Sequence, residues 1–435
     1  MENTSADGNA SKPNPKLMSR LWWRWERTPL YARIAGGLVL GVIAGLLFKS
    51  HAAPLDVPAK LVLRLLGALA PPLILVAVIR AMLTAHIPGR VAGRMAYLLM
   101  LNTVVAILIG LAIANIVKPG RWAHKEQFHE ETSKKAASGV WAMLMDNIPT
   151  SLVKPLAENQ VIGVILIALA FGIAMRRLRH LPMTSVGEII EMLFQAILIV
   201  LHWIINVVPL AVFGIVASIV GVKGFQDFYA LGAFVMAVIL ALVLQASWYL
   251  VRIRFGSWVR PPSLLRGMRD ALIMAFSTGS STATMPVTYE CLTRKVGLRP
   301  ESASLGSLVG SNFNNDGTAL YEAMAALFIS QVIGMQLTLG QQVTVILTSI
   351  IASVGAAGIP EAGLVTMTLV FTAVGLPVKY IAILLTVDWF LDRCRTTINV
   401  MGDVNVSCLL DGKVRDTTRI EPTPVSIVEP APRVA

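Results

Sequence analysis

The sequence predicts an all-α membrane protein of about eight transmembrane helices plus two re-entrant helical hairpins, arranged as inverted repeats. Three observations carry this. Hydrophobic residues make up 55% of the chain and charged residues only 14%, with a mean hydropathy of +0.68; soluble domains carry about 25% charged residues. Several apolar runs are long enough to cross a bilayer, which needs roughly 20 residues per helix. In the last third, apolar runs are interrupted by small residues, proline and buried charge.

In chain order, residues 1–16 are polar and read as a disordered leader. Then Trp22, Trp23 and Trp25 alternate with Arg20, Arg24 and Arg27, which suits a membrane interface. Together 1–28 read as a cytoplasmic leader and anchor, and the run 35–48 lacks a signal-peptide cleavage site. Six spans follow at about 30–49, 58–84, 95–117, 160–176, 184–220 and 226–253. Basic clusters follow the second, fourth and sixth: Arg90 with Arg94; Arg176, Arg177 and Arg179; and Arg252, Arg254, Arg260, Arg266 and Arg269. They mark cytoplasmic connections. The net charge of +12 is therefore a topological signal, and no nucleic-acid partner is expected. The loop 118–135 mixes Lys with Glu126, Glu130 and Glu131 and reads as external; His124 and His129 there read as solvated rather than metal-bound. Cys291, Cys394 and Cys408 form neither a disulfide framework nor a zinc pattern.

The run near 271–292 is broken by FSTGSSTATMP at 276–286, and the run near 344–376 by SVGAAGIPEAG at 353–363. Each half is about ten residues, too short for a hydrocarbon core of about 30 Å. Broken backbone is tolerated in a membrane only where protein buries it or it lines a cavity. Both runs therefore read as re-entrant hairpins. Between them a span at 301–331 is interrupted by GSNFNNDGT at 310–318, and a last span covers 378–410. The count closes with eight crossings and both termini cytoplasmic, in a plasma membrane (an inner membrane for a bacterium). The first hairpin enters from the cytoplasm and the second from outside. Paired broken segments point to a transporter binding site. The domain reading is scaffold over 29–256, the third span and part of 160–180 excepted, a transport core over 257–411, and a disordered tail over 412–435.

The last span holds Asp388, Asp392, Arg393, Arg395 and Asp403, and each charge at bilayer depth costs roughly 2.5–3.5 kcal/mol. Asp392, Arg395, Asn399 and Asp403 fall on one helical face. A salt-bridged structural helix would also show this stripe, but it would not account for the broken segments upstream. The Arg395 fork suits a carboxylate, and Asp392 suits an ammonium. Ser280, Ser281, Thr282 and Thr284 sit at the first hairpin tip, where a half-helix N-terminus favours a second carboxylate. A ligand satisfying all three is an acidic amino acid. Asn314, Asp316, Asn399 and Asp403, with the carbonyl of Gly310, form an oxygen-rich set for a hard cation; a network that only locks two helices is the competing reading. Glu322, one turn past Thr318, reads either as a group for a proton or counter-transport or as an inert, solvated or salt-bridged side chain.

These motifs resemble the glutamate/aspartate transporter family (dicarboxylate/amino acid:cation symporters) over about 29–411. The resemblance rests on Ser280-Ser281-Thr282 with Thr284 and Pro286, on Asn314-Asn315-Asp316-Gly317-Thr318, on Gly358-Ile359-Pro360-Glu361-Ala362-Gly363, and on Asp392-Arg393-Cys394-Arg395-Thr396 with Asn399 and Asp403. It implies a sodium-driven symporter of acidic L-amino acids, a homotrimer in the lipid bilayer, and a mobile transport domain sliding against a scaffold. Substrate roles pass to Ser280, Ser281, Thr282, Thr318, Gly358, Ala362, Gly363, Asp392, Arg395, Thr396 and Asn399. Sodium roles pass to Gly310, Asn312, Asn314, Asp316, Asn399 and Asp403, to Ser353, Val354 and Ala356 at the second hairpin, and to Asn102 and Thr103 at a third site. Glu322 matches members that couple transport to H+ or K+. Two departures leave the sodium stoichiometry open: Asn315 stands where the motif has Met, and Leu99 where the third site often has Tyr.

The alternative on the same fold is a C4-dicarboxylate or a proton-coupled glutamate symporter. Asp392 argues against the former, since a ligand without an amine leaves it unpaired. A neutral amino acid carrier would not need Arg395. An intramembrane aspartyl protease lacks its Gly-x-Gly-Asp signature, because Asp403 follows Val400-Met401-Gly402. A channel would not need two gates.

Overall fold

The computed structural model describes residues 28, 30–84, 89–122, 149–158, 161–178, 184–223, 226–355 and 362–415. The aromatic anchor, His124, His129, Ala356, Gly358 and the tail beyond 415 lie outside the described residues. The described chain is helical, without strands. Its helices are α1 (Leu30–Phe48), α2 (Val57–Thr84), α3 (Gly89–Val117), α4 (Val161–Arg177), α5 (Thr184–Lys223) and α6 (Gln226–Gly256). There follow α7 (Pro261–Thr278), α8 (Ser281–Glu290), a broken α9 over 300–313, α10 (Asp316–Val332), α11 (Leu339–Gly355), α12 (Ala362–Ala373) and α13 (Ile381–Asp411). By length and composition, the stretches Ala32–Arg80, Gly93–Trp122, Val186–Val222 and Tyr229–Gly256 suffice to cross a membrane.

The first hairpin begins at Pro261 rather than near 271. Its first turns, PPSLLRGMRD, are amphipathic rather than apolar, so hydropathy alone misses them, while Pro at the first helical positions suits a helix start. Gly279 ends α7 with φ +65°, a left-handed conformation that glycine adopts without steric cost. Ser280 then starts α8, its Oγ accepting from the N–H of Ala283 at 3.1 Å. The hairpin therefore turns over two residues. Its arms are clipped by Lys295 Nζ to Asp270 Oδ2 at 2.5 Å. Next, Pro300–Ser304 runs into Leu305–Val309, wound as a π-helix, and then into Gly310–Phe313. Asn314 (φ −98°, ψ 86°) and Asn315 (φ −114°, ψ 49°) break the helix before α10 restarts at Asp316, where a carboxylate in the first turn suits the helix dipole.

Two packing groups emerge. In the first, α5 packs on α1 and α2, and α2 on α4. Gly37, Gly41 and Gly45 let α1 lie on the backbone of α5: a Cβ at Gly41 would sit 2.7 Å from the Phe213 carbonyl oxygen. Such small-residue stripes permit close approach of membrane helices. In the second group, α10 packs against α3, α11 and α13, and α13 against α6 and α7. All of α10 except Gln331 is buried, which makes it the central post. Outward-facing Val39, Leu40, Met192, Trp203 and Met236 are exposed, as expected of lipid-facing surface, where apolar exposure carries no penalty.

At one end of the second group, Asp411 closes α13. Its Oδ2 accepts from Trp258 Nε1 at 2.7 Å, and its Oδ1 accepts from the backbone N–H and Nε of Arg299 at 3.2 and 2.9 Å.

Candidate functional site

The unwound turn at 314–315 sits against the middle of α13, flanked by the two hairpins. Arg395 is fully buried. Its Nη1 donates to Asp388 Oδ1 and its Nη2 to Asp392 Oδ1, each at 2.9 Å, and the guanidinium carbon lies 4.0 Å from the centroid of the Tyr321 ring. Such a cation is tolerated away from water only because it is paired and stacked. Both hairpins reach this group. A Cβ at Gly279 would lie 3.0 Å from Asp392 Oδ2, and one at Gly363 would lie 3.2 Å from both Nη atoms of Arg395. Any side chain at Gly363 would press on the guanidinium.

Asp388 was not singled out as a site residue from sequence. Its signal was present: Asp388, Asp392 and Arg395 stand at i, i+4 and i+7, which is one face of a helix. Thr396 is buried two turns beyond Asp388. Ser280 and Ser281 are buried at the first hairpin tip, and Thr282 is half-buried beside them. Ser281 Oγ donates to the Ser311 carbonyl at 3.2 Å, which ties the tip to the end of α9. Thr284 instead bonds back to the Ser280 carbonyl at 2.8 Å.

The expected cation residues divide into two neighbourhoods. In one, Asn314 Nδ2 donates to the Asn399 carbonyl at 2.9 Å and to Asp403 Oδ1 at 3.0 Å. A Cβ at Gly310 would lie 2.5 Å from that same carboxylate oxygen, so only glycine fits. Asn314 Oδ1 is buried without a partner among the described residues. An orphaned amide oxygen beside a buried carboxylate and backbone carbonyls fits a small hard cation. Among the described residues no group of three or more His, Cys, Asp or Glu could hold a metal, so any cation here relies on this mixed amide, carbonyl and carboxylate set. Asn312 lies in the same short helix.

In the other neighbourhood, Asp316 turns toward α3 and α6. Thr103 Oγ1 donates to its Oδ1 at 2.6 Å, and the Tyr249 hydroxyl donates to its Oδ2 at 2.5 Å. Asn102, fully buried, accepts at Oδ1 from Arg252 Nη1. Tyr249 was not anticipated because it lies on a span that reads as plain apolar; Arg252, read from sequence as part of a cytoplasmic connection, instead lies within α6 and turns back to α3, where the buried Asn102 amide oxygen accepts its guanidinium.

Asn315 links the second hairpin to α13. Its Nδ2 donates to the Ser353 carbonyl at 2.8 Å, and its Oδ1 accepts from Asn399 Nδ2 at 3.2 Å. Asn399 Oδ1 in turn accepts from the Gly317 N–H at 2.8 Å, with Thr318 Oγ1 at 3.5 Å from Asn399 Nδ2. Val354 lies near the end of α11, and Ala362 opens α12. Glu322 is buried next to the Arg395-stacked Tyr321. It accepts from Thr366 Oγ1 on the second hairpin, while its Oε2 has no partner among the described residues.

Apolar helices around a buried constellation of charge, flanked by the helix pairs α7–α8 and α11–α12, are the build of a membrane carrier rather than an enzyme. The sequence profile of the sodium:dicarboxylate symporter family matches residues 30–413, and the chain belongs to that family. It is 30% identical over 455 residues to an excitatory amino acid transporter of Caenorhabditis elegans, covering 90% of this chain and 89% of that protein. It is 30% identical to excitatory amino acid transporter 3 of Oryctolagus cuniculus (84% and 82% covered) and 31% identical to excitatory amino acid transporter 2 of Rattus norvegicus (91% and 81%).

Proposed function

We propose that this chain carries acidic L-amino acids, aspartate or glutamate, across the membrane together with sodium. The observation that carries the reading is Arg395, buried, bonded to both Asp388 and Asp392, and approached by Gly279 and Gly363 of the two hairpins. A substrate carboxylate competes with these aspartates for the guanidinium fork. The substrate ammonium then neutralises Asp392, and the α-carboxylate meets the N–H groups at the start of α8 beside Ser280 and Ser281. A dicarboxylate without an amine leaves the released Asp392 uncompensated. The names of the relatives agree with this substrate class.

Sodium fits Gly310, Asn314, Asn399 and Asp403, and the resemblance assigns a further position to Ser353, Val354 and Ala356. Bound there, it would offset the buried carboxylate and hold the unwound turn against α13. Glu322, with one oxygen unpartnered, is the candidate for H+ or K+ coupling. The moving unit comprises α3 and α6 as well as α7–α13, because these pack on one another, and α1, α2, α4 and α5 make the scaffold of a homotrimer with both termini cytoplasmic.

The test is uptake of radiolabelled L-aspartate by proteoliposomes under an inward sodium gradient, then a proton gradient, with excess succinate. Sodium-dependent accumulation resistant to succinate is expected. Uptake blocked by succinate would move the substrate to dicarboxylates, and uptake driven by protons alone would remove sodium.

A further inference from the structure

We infer that the guanidinium of Arg252 serves as the resident cation of the Asn102–Thr103–Asp316 position, so that this position takes no sodium. The inference rests on the symport reading only for the meaning of the position, which is the third sodium site implied by the resemblance.

Every side chain that would bind an ion there is already engaged by the chain itself. Asn102 Oδ1 accepts from Arg252 Nη1. An amide flip would set the Asn102 NH2 against a guanidinium that has only donors, so Arg252 dictates the side-chain orientation. The two Asp316 oxygens accept from Thr103 at 2.6 Å and from Tyr249 at 2.5 Å. Tyr249 and Arg252 are one turn apart on α6, and Asn102 and Thr103 are consecutive on α3. The guanidinium and the carboxylate therefore face the same junction of α3, α6 and α10. A fixed positive charge supplies what a bound sodium would otherwise supply, and a second cation beside it would be repelled in a low-dielectric setting.

One of the two departures from the family pattern, Leu99, is met by this arrangement. Leu99 brings no phenol from α3, whereas Tyr249 brings one from α6. Trp248 stacks under the arrangement, with its ring centroid 5.8 Å from the Arg252 guanidinium carbon. That stacking restrains a side chain that would otherwise extend toward the membrane surface.

The experiment counts sodium ions bound per protomer in purified full-length protein, by equilibrium dialysis with radiolabelled sodium, for wild type, Arg252→Lys, Arg252→Gln and Asp316→Asn. Arg252→Gln, which keeps a donor for Asn102 but removes the charge, is expected to bind one sodium more than wild type. Arg252→Lys is expected to match wild type. Asp316→Asn is expected to lose none, whereas loss of one ion would mean that sodium occupies the position. Equal counts for wild type and Arg252→Gln, with both proteins monodisperse and equally heat-stable, overturn the inference. Should Arg252→Gln not fold, the Asp316→Asn count decides alone. If wild type binds no sodium at all, the symport reading falls, while the gain in Arg252→Gln remains the measure of this inference.

Discussion

Asp388 lies two helical turns before Arg395 on α13 and accepts from its Nη1 at 2.9 Å, with both side chains sealed from solvent. The guanidinium is thus held at Nη1 by a carboxylate of the chain itself, and Asp392 holds its Nη2. Under the proposed reading, substrate exchanges with this pair rather than entering an open charge. Asp388→Asn should therefore weaken the substrate-free protein and favour the bound one. Breaking a buried pair costs about 3–5 kcal/mol, so the unliganded melting temperature should fall, and aspartate should restore more of it than in wild type. A melting shift by aspartate no larger than that of wild type would show that the pair does not compete with substrate.

Arg395→Cys removes the fork and should abolish binding of acidic substrates, while neutral amino acids gain binding at the vacated position. Competition binding with aspartate, glutamate and serine reads this directly. Unchanged aspartate affinity would remove Arg395 from the substrate site.

For the Gly310–Asn314–Asn399–Asp403 set, Asp403→Asn should raise the sodium concentration for half-maximal uptake about tenfold, equivalent to about 1.4 kcal/mol. Because Asn314 Nδ2 would keep an acceptor in the new amide oxygen, folding should hold. An unaltered sodium dependence would exclude Asp403 as a ligand.

Asn315→Met removes the bond to the Ser353 carbonyl and the contact with Asn399. Losing a hydrogen bond of this kind costs about 0.5–1.5 kcal/mol. The second hairpin should part from α13 more readily, seen as faster amide exchange in 339–355. Exchange equal to wild type would show that Asn315 does not latch the hairpin.

Glu322→Gln keeps an acceptor for Thr366 but cannot exchange a proton. If Glu322 carries the coupled ion, sodium-driven uptake in this variant should lose its dependence on internal pH and on internal potassium. Persistence of both dependences would leave Glu322 a purely structural partner of Thr366.

What the sequence made legible follows the local period of the helix. The breaks at Gly279–Ser280 and Asn314–Asn315, the polar face of α13 and the lengths of the apolar runs are all properties of neighbouring residues, and the structure has them within a few positions. The start of α7 escaped because its first turns are amphipathic. Tyr249, Arg252 and the Asn315–Ser353 bond escaped for another reason. Each is defined by which helix packs opposite, and the partners stand 67, 150 and 38 residues away in the chain. No periodicity encodes that choice. Asp388 lies between these cases: its face could be read from spacing, but its preference for Arg395 over a ligand depends on three-dimensional enclosure.

Asp411 has a mechanical consequence. By holding Trp258, Arg299 and the end of α13 in one knot, it couples the linker after α6, the lead into α9 and the helix that carries Arg395. The second hairpin has no part in this knot: it meets the rest through Ser353 on Asn315, Thr366 on Glu322 and Gly363 beside Arg395, so its displacement would leave the Asp411 joint intact.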